Sequence, residues 1–382
     1  MLHGPHAVMC RSCNATIICI GSLIEQVLNF FNAHDLLINP KMLLLQGTSK
    51  VNKSHRTINL DDDPHFISIL PTEADEFDCV DMYKQPAFDH PLLKNHKIQL
   101  NPNFSNELTK SRVSSRSRSP NEVDLRGKGC PSGMVPIPKS KPFYRPFTQD
   151  FPGEHFATLD TNNDATYHGA EALINIYKPP VTGKQYSGAH MWLQSGPPNE
   201  LNSIQAGWET DGFKNTGCYN LLCPGFVQVH PTVRPGQVFV NSSIIGGSQY
   251  GFDLSIIQEQ SSGNWWLTSE GFKVGYWPKE LFNHLNNGAN KVRYGGTTKA
   301  SADGLSPPMG SGEFPTNDYH SVCFLAFVKI VDSNFKLIDI VDSTMSGTTD
   351  VTTCYDLHYF GYQGRKLGQT FSFGGPGGEC GT

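Results

Sequence analysis

At 382 residues, with 37 glycines, 26 prolines and only 17% charged side chains, the chain is long enough to bury a sizeable core and too rich in turn formers to be built of long helices. A net charge of −5 excludes the basic footprint of a nucleic-acid or membrane-surface binder. No run reaches the roughly 18 apolar residues that a spanning helix needs.

The first 75 residues are a leader of mixed texture. "ATIICIGSL" (15–23), flanked by Arg11, has the length of a signal-peptide apolar region, and "SLIEQVLNFFNAH" (22–34) has helical spacing. His3, His6, Cys10 and Cys13 stand at spacings that suit zinc, but accidental composition is the better account, so no metal or cofactor is expected. Residues 76–150 form a second unit. Pro86 and Pro91 impose an extended path on "EFDCVDMYKQPAFDHPLLKNHKIQLNPNF" (76–104). The Ser/Arg run "SRVSSRSRSP" (111–120) is too short for an RNA-binding tail and reads as a linker. "CPSGMVPIPKSKPF" (130–143) continues in polyproline style.

From about residue 154 to 382 the texture is that of strands. They are "ALINIY" (172–177), "GAHMWLQSG" (188–196), "NSIQAGWE" (202–209), "GFVQVH" (225–230), "GQVFVNSSI" (236–244), "NWWLTS" (264–269), "FKVGYWP" (272–278), "KVRYGG" (291–296), "HSVCFLAFVKIVD" (320–332) and "FKLIDIVD" (335–342). One short helix is predicted at "KELFNHLNNG" (279–288), with Gly288 as its stop. The pattern predicts an all-β fold, a two-sheet antiparallel β-sandwich. Ten cysteines and N-x-S/T triplets at Asn14, Asn52, Asn103 and Asn241 favour an oxidising secretory route, with Asn241 and Asn103 as glycosylation sites and a secreted or vacuolar destination.

Long motifs, in order, resemble the plant neprosin family. "DCVDMYKQPAFDHPLLKNH" (78–96) is similar to its activation-peptide signature. "SIQAGW" (203–208), "DGFKNTGCYNLLCPGFVQV" (211–229), "GNWWL" (263–267), "VGYWPKELF" (274–282), "MGSGEFP" (309–315) and "FGGPGGEC" (373–380) resemble its catalytic domain. The resemblance implies a secreted zymogen of the glutamic-peptidase class on a β-sandwich, cutting proline-containing peptides after proline at acid pH and needing no metal; a monomer is expected. A carboxylate would act as general base on water, while a second acid or amide holds the oxyanion. The chain's own activation peptide would lie across the cleft until acid loosens it.

Carried over by position, the family's first catalytic residue falls on Gln205 and its second on Thr297, in "RYGGTTKAS" (293–301). Gln205 retains an amide, but Thr297 is no base at acid pH. Glu209 is joined almost directly to "TDGFKNTGCYN", so a strand and its turn are missing, through a skipped exon or an evolved deletion. Glu209 and Glu313 are the substitute carboxylates to consider. Glu209 shares a strand face with Gln205 but stands about 13 Å along it.

The resemblance further implies the pairs Cys218–Cys223, Cys354–Cys380 and Cys79–Cys130, and Cys323 reads as a buried free thiol. Trp192, Trp208, Trp265, Trp266, Tyr276 and Trp277 are candidates for a proline-accepting groove, half or more of them belonging to the core. The expectation is an acid endopeptidase homologue with impaired catalysis. The alternative is a non-catalytic sandwich that binds proline-rich wall proteins or glycans.

Overall fold

The computed structural model describes residues 66–68, 77–105, 108, 129–139, 153–209, 221, 224–239 and 241–381. The predicted helix at 22–34, the zinc-spaced His3, His6, Cys10 and Cys13, and the pair Cys218–Cys223 lie outside them. Among the described residues there is no α-helix, only short 3₁₀ turns between strands.

The strands in chain order are β1 (Phe66–Ser68), β2 (Phe77–Asp81), β3 (Met134–Pro138), β4 (Glu154–Thr161), β5 (Gly169–Asn175), β6 (Tyr186–Ser195), β7 (Asn202–Glu209), β8 (Val227–Gln228), β9 (Gln249–Gln258) and β10 (Trp265–Ser269). There follow β11 (Phe272–Trp277), β12 (Lys291–Lys299), β13 (Leu305–Ser306), β14 (Cys323–Val331), β15 (Leu337–Asp339), β16 (Met345–Thr349), β17 (Asp356–Tyr362), β18 (Gln369–Gly374) and β19 (Gly378–Glu379). The larger sheet runs β17-β18-β14-β5-β9-β10-β11-β8, with β15 on β14 and β1 beside β9. The smaller sheet runs β16-β4-β12-β6-β7 and is antiparallel throughout.

One face of each sheet meets the other in a common core. Period-two alternation sends Ala189, Met191 and Leu193 of β6, Ile204 and Trp208 of β7, and Val292 and Tyr294 of β12 inward. They pack on Ile174, Phe252, Ile256, Trp265, Trp277, Leu325 and Phe373 of the larger sheet. Two polar groups tie the layers. The Trp208 indole donates to the Asn175 carbonyl at 2.9 Å, and the Tyr294 hydroxyl to that of Lys329 at 2.7 Å. The predicted two-sheet antiparallel sandwich is the observed fold.

Three local expectations are corrected. Residues 279–288 form only a 3₁₀ turn, Lys279–Leu281, because the next amides, Asn283 and His284, donate to Asn202 Oδ1 instead of to helix carbonyls. The described part of 236–244 contains no strand, its amides being spent on single bonds outside any ladder, as in Ser243 to the Ile176 carbonyl and Ile244 to that of Ser248. Conversely β9, between β5 and β10 in the larger sheet, is not among the predicted strands, although Phe252, Leu254 and Ile256 alternate into the core.

Residues 77–105 run over the outer face of the larger sheet, opposite the core. Ala87 clusters with Val227, Trp266 and Tyr276, against which Phe88, Ile98 and Phe104 also pack. Tyr276 Oη accepts from the Gln99 amide and pairs with His96 Nε2, both at 2.9 Å. Glu259 accepts from the Gln99 side chain at 2.7 Å and from the Asn103 amide at 2.5 Å. The described part of this segment therefore rests on the back of the larger sheet instead of lying across the face that carries Gln205.

The disulfide Cys79–Cys130 links β2 to the approach to β3, and Cys354–Cys380 joins the turn before β17 to the residue after β19. Cys323 is buried and free, as expected. Asn103 and Asn241 are both exposed.

Candidate active site

The polar face of the smaller sheet is the one turned away from the core. Strand register arranges it in rows. Gln205 of β7 stands opposite Trp192 of β6, which stands opposite Arg293 of β12, and Arg293 opposite Asp160 of β4. The next row is Gly207, His190, Gly295 and Thr158. The third is Glu209, Gly188, Thr297 and Phe156, and the fourth ends in Tyr186, Lys299 and Glu154.

Gln205 and Thr297 thus lie on one face of one sheet, Thr297 within β12 itself. Two strand spacings and four residues separate them, roughly 16 Å between α-carbons. Glu209, not Gln205, shares the row of Thr297, about 10 Å away across Gly188. Glu313 is exposed in the loop between β13 and β14 and has no place in these rows. Of the six candidate aromatics, Trp192 alone lies on this face. Trp208, Trp265 and Trp277 are core, and Trp266 and Tyr276 lie under the activation segment.

At the centre of the rows sits His190, which the sequence reading passed over. Gln205 and Glu209 flank its partner Gly207 on β7, and Arg293 and Thr297 flank its partner Gly295 on β12. All four are therefore diagonal neighbours of His190, about 7–8 Å away between α-carbons. Both lateral neighbours are glycine, so neither puts a side chain beside the ring. The imidazole leans over Gly188, where an added Cβ would come within 2.7 Å of His190 Cε1. It tilts against Trp192 with ring centroids 5.4 Å apart, and its Nε2 is 3.8 Å from Glu209 Oε2.

The centre of this face is buried. Gln205 is 7% exposed, Thr297 5% and His190 3%. Gln205 Oε1, Thr297 Oγ1 and His190 Nδ1 are buried without a hydrogen-bond partner among the described residues. Burial, which penalises the imidazolium, lowers the pKa of His190 to about 4.

Carboxylates on the same face are engaged elsewhere. Asp160 takes Arg293 Nε on both oxygens at 3.0 and 3.2 Å, the Thr348 hydroxyl at 3.1 Å and the Lys291 ammonium at 3.3 Å. Glu154 accepts from the Tyr186 hydroxyl; its burial raises its pKa, against the pull of that bond and of Lys299. Chemically the face offers an amide, a hydroxyl and a neutral imidazole around a glycine floor. The alternation "GAHMW" shows from sequence that Gly188, His190 and Trp192 share one side. What it lacks is the register that brings Gln205 and Thr297 to either flank.

The architecture is that of an all-β sandwich carrying its own activation segment. Two family profiles match in tandem: that of the Neprosin activation peptide over residues 68–142 and that of Neprosin over residues 208–376. Together they span more than half of the sequence, and the chain belongs to the neprosin family. The Neprosin match starts just past Gln205 and includes Thr297. Among solved structures, Scytalido-glutamic peptidase with a peptide-based transition state analog is similar at 12% identity and a TM-score of 0.30, over 58% of this chain and 97% of that one. That likeness is too loose to bear on fold or chemistry.

Proposed function

We propose that this chain is the proform of an acid endopeptidase homologue directed at proline-containing peptides, with cleavage after proline strongly impaired. Residues 1–75 are its leader, 76–150 its activation peptide and linker, and 154–382 its peptidase sandwich. It enters the secretory pathway, is secreted or vacuolar, and is glycosylated at Asn103 and Asn241. The observation that carries the reading is that Gln205 and Thr297 share one buried polar face to which neither brings a carboxylate. Gln205 Nε2 can donate to a developing oxyanion, but the hydroxyl of Thr297 cannot deprotonate water near pH 4 without help. Loss of a general base costs about 10²–10⁴-fold in rate.

The test is cleavage of a proline-containing peptide by the full chain near pH 3–5, followed by mass spectrometry. Slow cleavage is expected, raised when Thr297→Glu is combined with restoration of the strand missing after Glu209. Efficient cleavage by the unaltered chain, abolished by Glu209→Gln or Glu313→Gln, would overturn the impairment.

A second reading has its own support. The Arg293 guanidinium lies 5.3 Å from the ring of Phe156 and 5.9 Å from that of Trp192, a cationic and aromatic surface suited to holding a ligand without cutting it. Retention on a hydroxyproline-rich protein or a polysaccharide, with no cleavage at any pH, would favour it.

A further inference from the structure

We infer that His190 is the proton acceptor of this face, with Glu209 steering its ring, in place of the carboxylate absent at position 297. The inference rests on the reading that the face hydrolyses peptides.

Position is the first argument. Gln205 and Thr297 are too far apart to act on one water directly, yet each is a diagonal neighbour of His190. A group at the centre of the four corners is the one that can reach a water placed beside either of them, including one beside the oxyanion donor Gln205. Space is the second argument. Gly188, Gly207 and Gly295 surround the ring, so the volume above the sheet beside His190 is free of neighbouring side chains from those three positions. Orientation is the third. Nε2 is directed at Glu209, 3.8 Å away, while Nδ1 has no partner among the described residues and is left to accept a proton.

Basicity agrees with this geometry. Burial brings the imidazole to about 4, close to the ordinary value of a glutamate side chain, ~4.3, so the exchange of groups keeps the strength of the base. Among the described residues, the charged groups that face His190 from adjoining strands are Glu209 of β7 and Arg293 of β12, and Asp160 of β4 neutralises the latter. Lys299 and Glu154 stand two rows away.

The step balances without any co-reactant but water. Water attacks the scissile carbonyl carbon, a C–O bond forms, and one water proton passes to the imidazole while Gln205 Nε2 donates to the oxyanion. The C–N bond then breaks, and the imidazolium returns the proton to the leaving amine. The second water hydrogen stays with the new carboxylic acid.

The experiment measures kcat/KM against pH for the full chain, His190→Gln, Glu209→Gln and Gln205→Ala, with circular dichroism to confirm folding. The residual activity of the full chain is expected to rise with pH through about 4, because the base must be unprotonated. His190→Gln should lose that limb and a further 10²–10⁴-fold in rate, as expected of a general base. Glu209→Gln should shift the limb and lower kcat with KM nearly unchanged, which a purely structural role would not do. A parallel readout is the carbon-13 shift of His190 Cε1 in the full chain, assigned by comparison with His190→Asn. Its midpoint should fall near 4 and move in Glu209→Gln. An unchanged profile in a folded His190→Gln overturns the role of His190 while the peptidase reading stands. No cleavage by the unaltered chain at any pH overturns both. A midpoint near the ordinary value of about 6.5 overturns the inference whatever the activity.

Discussion

Under the proposed function, Thr297 is the single residue that limits the chemistry. Restoring a carboxylate there puts it about 10 Å from Glu209 and roughly 16 Å from Gln205, measured between α-carbons. Thr297→Glu alone is therefore expected to recover only a small part of the 10²–10⁴-fold that a well-placed base supplies, checked by initial rates near pH 4. A second residue-level device concerns stability in acid. His155 Nδ1 and Asp350 Oδ2 are 2.7 Å apart, next to the Cys354–Cys380 bridge. The bond to Asp350 raises His155 despite burial. Burial opposes the ionisation of Asp350, but bonds from His155 and the Phe156 amide hold its pKa below the ordinary value. The histidine's share of stability is complete below about 6.5 and fades as pH rises through its raised value. The aspartate's share is present above about 3.9 and fades as pH falls through its lowered value. Both operate in mild acid. Asp350 is 40% exposed, so solvent screening limits the pair. Asp350→Asn should cost about 1 kcal/mol near pH 5, a Tm loss of about 2–4 °C that narrows at alkaline pH. Neither residue of this pair announced itself in the sequence, since 195 positions separate them.

At the scale of elements, alternation made much of the sandwich readable, and "NSIQAGWE" was placed as the strand it is, Asn202–Glu209. Alternation assigns sides, not neighbours. That is why His190 between Gln205 and Thr297 went unnoticed: β6 and β7 form a hairpin, but the pairing of β6 with β12 is a long-range event. The helix expected at 279–288 failed for a related reason, its amides being claimed by Asn202 from another part of the chain. The close approach of β6 and β7 carries its own prediction. A Cβ at Gly207 would come within 1.9 Å of the Ala189 carbonyl oxygen, so even alanine must push the two strands apart. Gly207→Ala should cost at least about 1–3 kcal/mol, as overpacking does. At Gly347 of β16, by contrast, the nearest atom is a leucine methyl at 3.4 Å, and Gly347→Ala should be nearly neutral. Urea midpoints of the two variants measure the contrast.

For the molecule as a whole, the hold of the activation segment depends on pH. Burial pushes Glu259 upward, but bonds from Ser262, Gln99 and the Asn103 amide outweigh it and leave its pKa lowered. Its contribution is therefore present above about 4.3 and lost as pH falls through the lowered value. Burial also lowers His96, against a smaller opposing pull from Glu280, so below about 6.5 a released segment takes up the proton more readily than a docked one. Both effects favour release in acid. Hydrogen exchange at the Gln99 and Asn103 amides, corrected for intrinsic rates, should quicken roughly 10-fold or more between about pH 7 and about pH 4. Glu259→Gln should remove part of that pH dependence. Release also changes what the sandwich presents to its surroundings. Gln85 Oε1 receives the Gln228 amide at 2.7 Å, and Gln85 Nε2 donates to the Gln228 carbonyl at 3.1 Å. One side-chain amide thereby imitates the neighbouring strand that β8 lacks at the margin of the larger sheet. Once that amide departs, the margin is left with a bare donor and acceptor next to Val227, Trp266 and Tyr276, the kind of site at which chains add to one another. If the segment is shed, as the proposed function has it, a self-contained precursor gives way to a product with an adhesive rim, and the segment doubles until then as a guard over that edge.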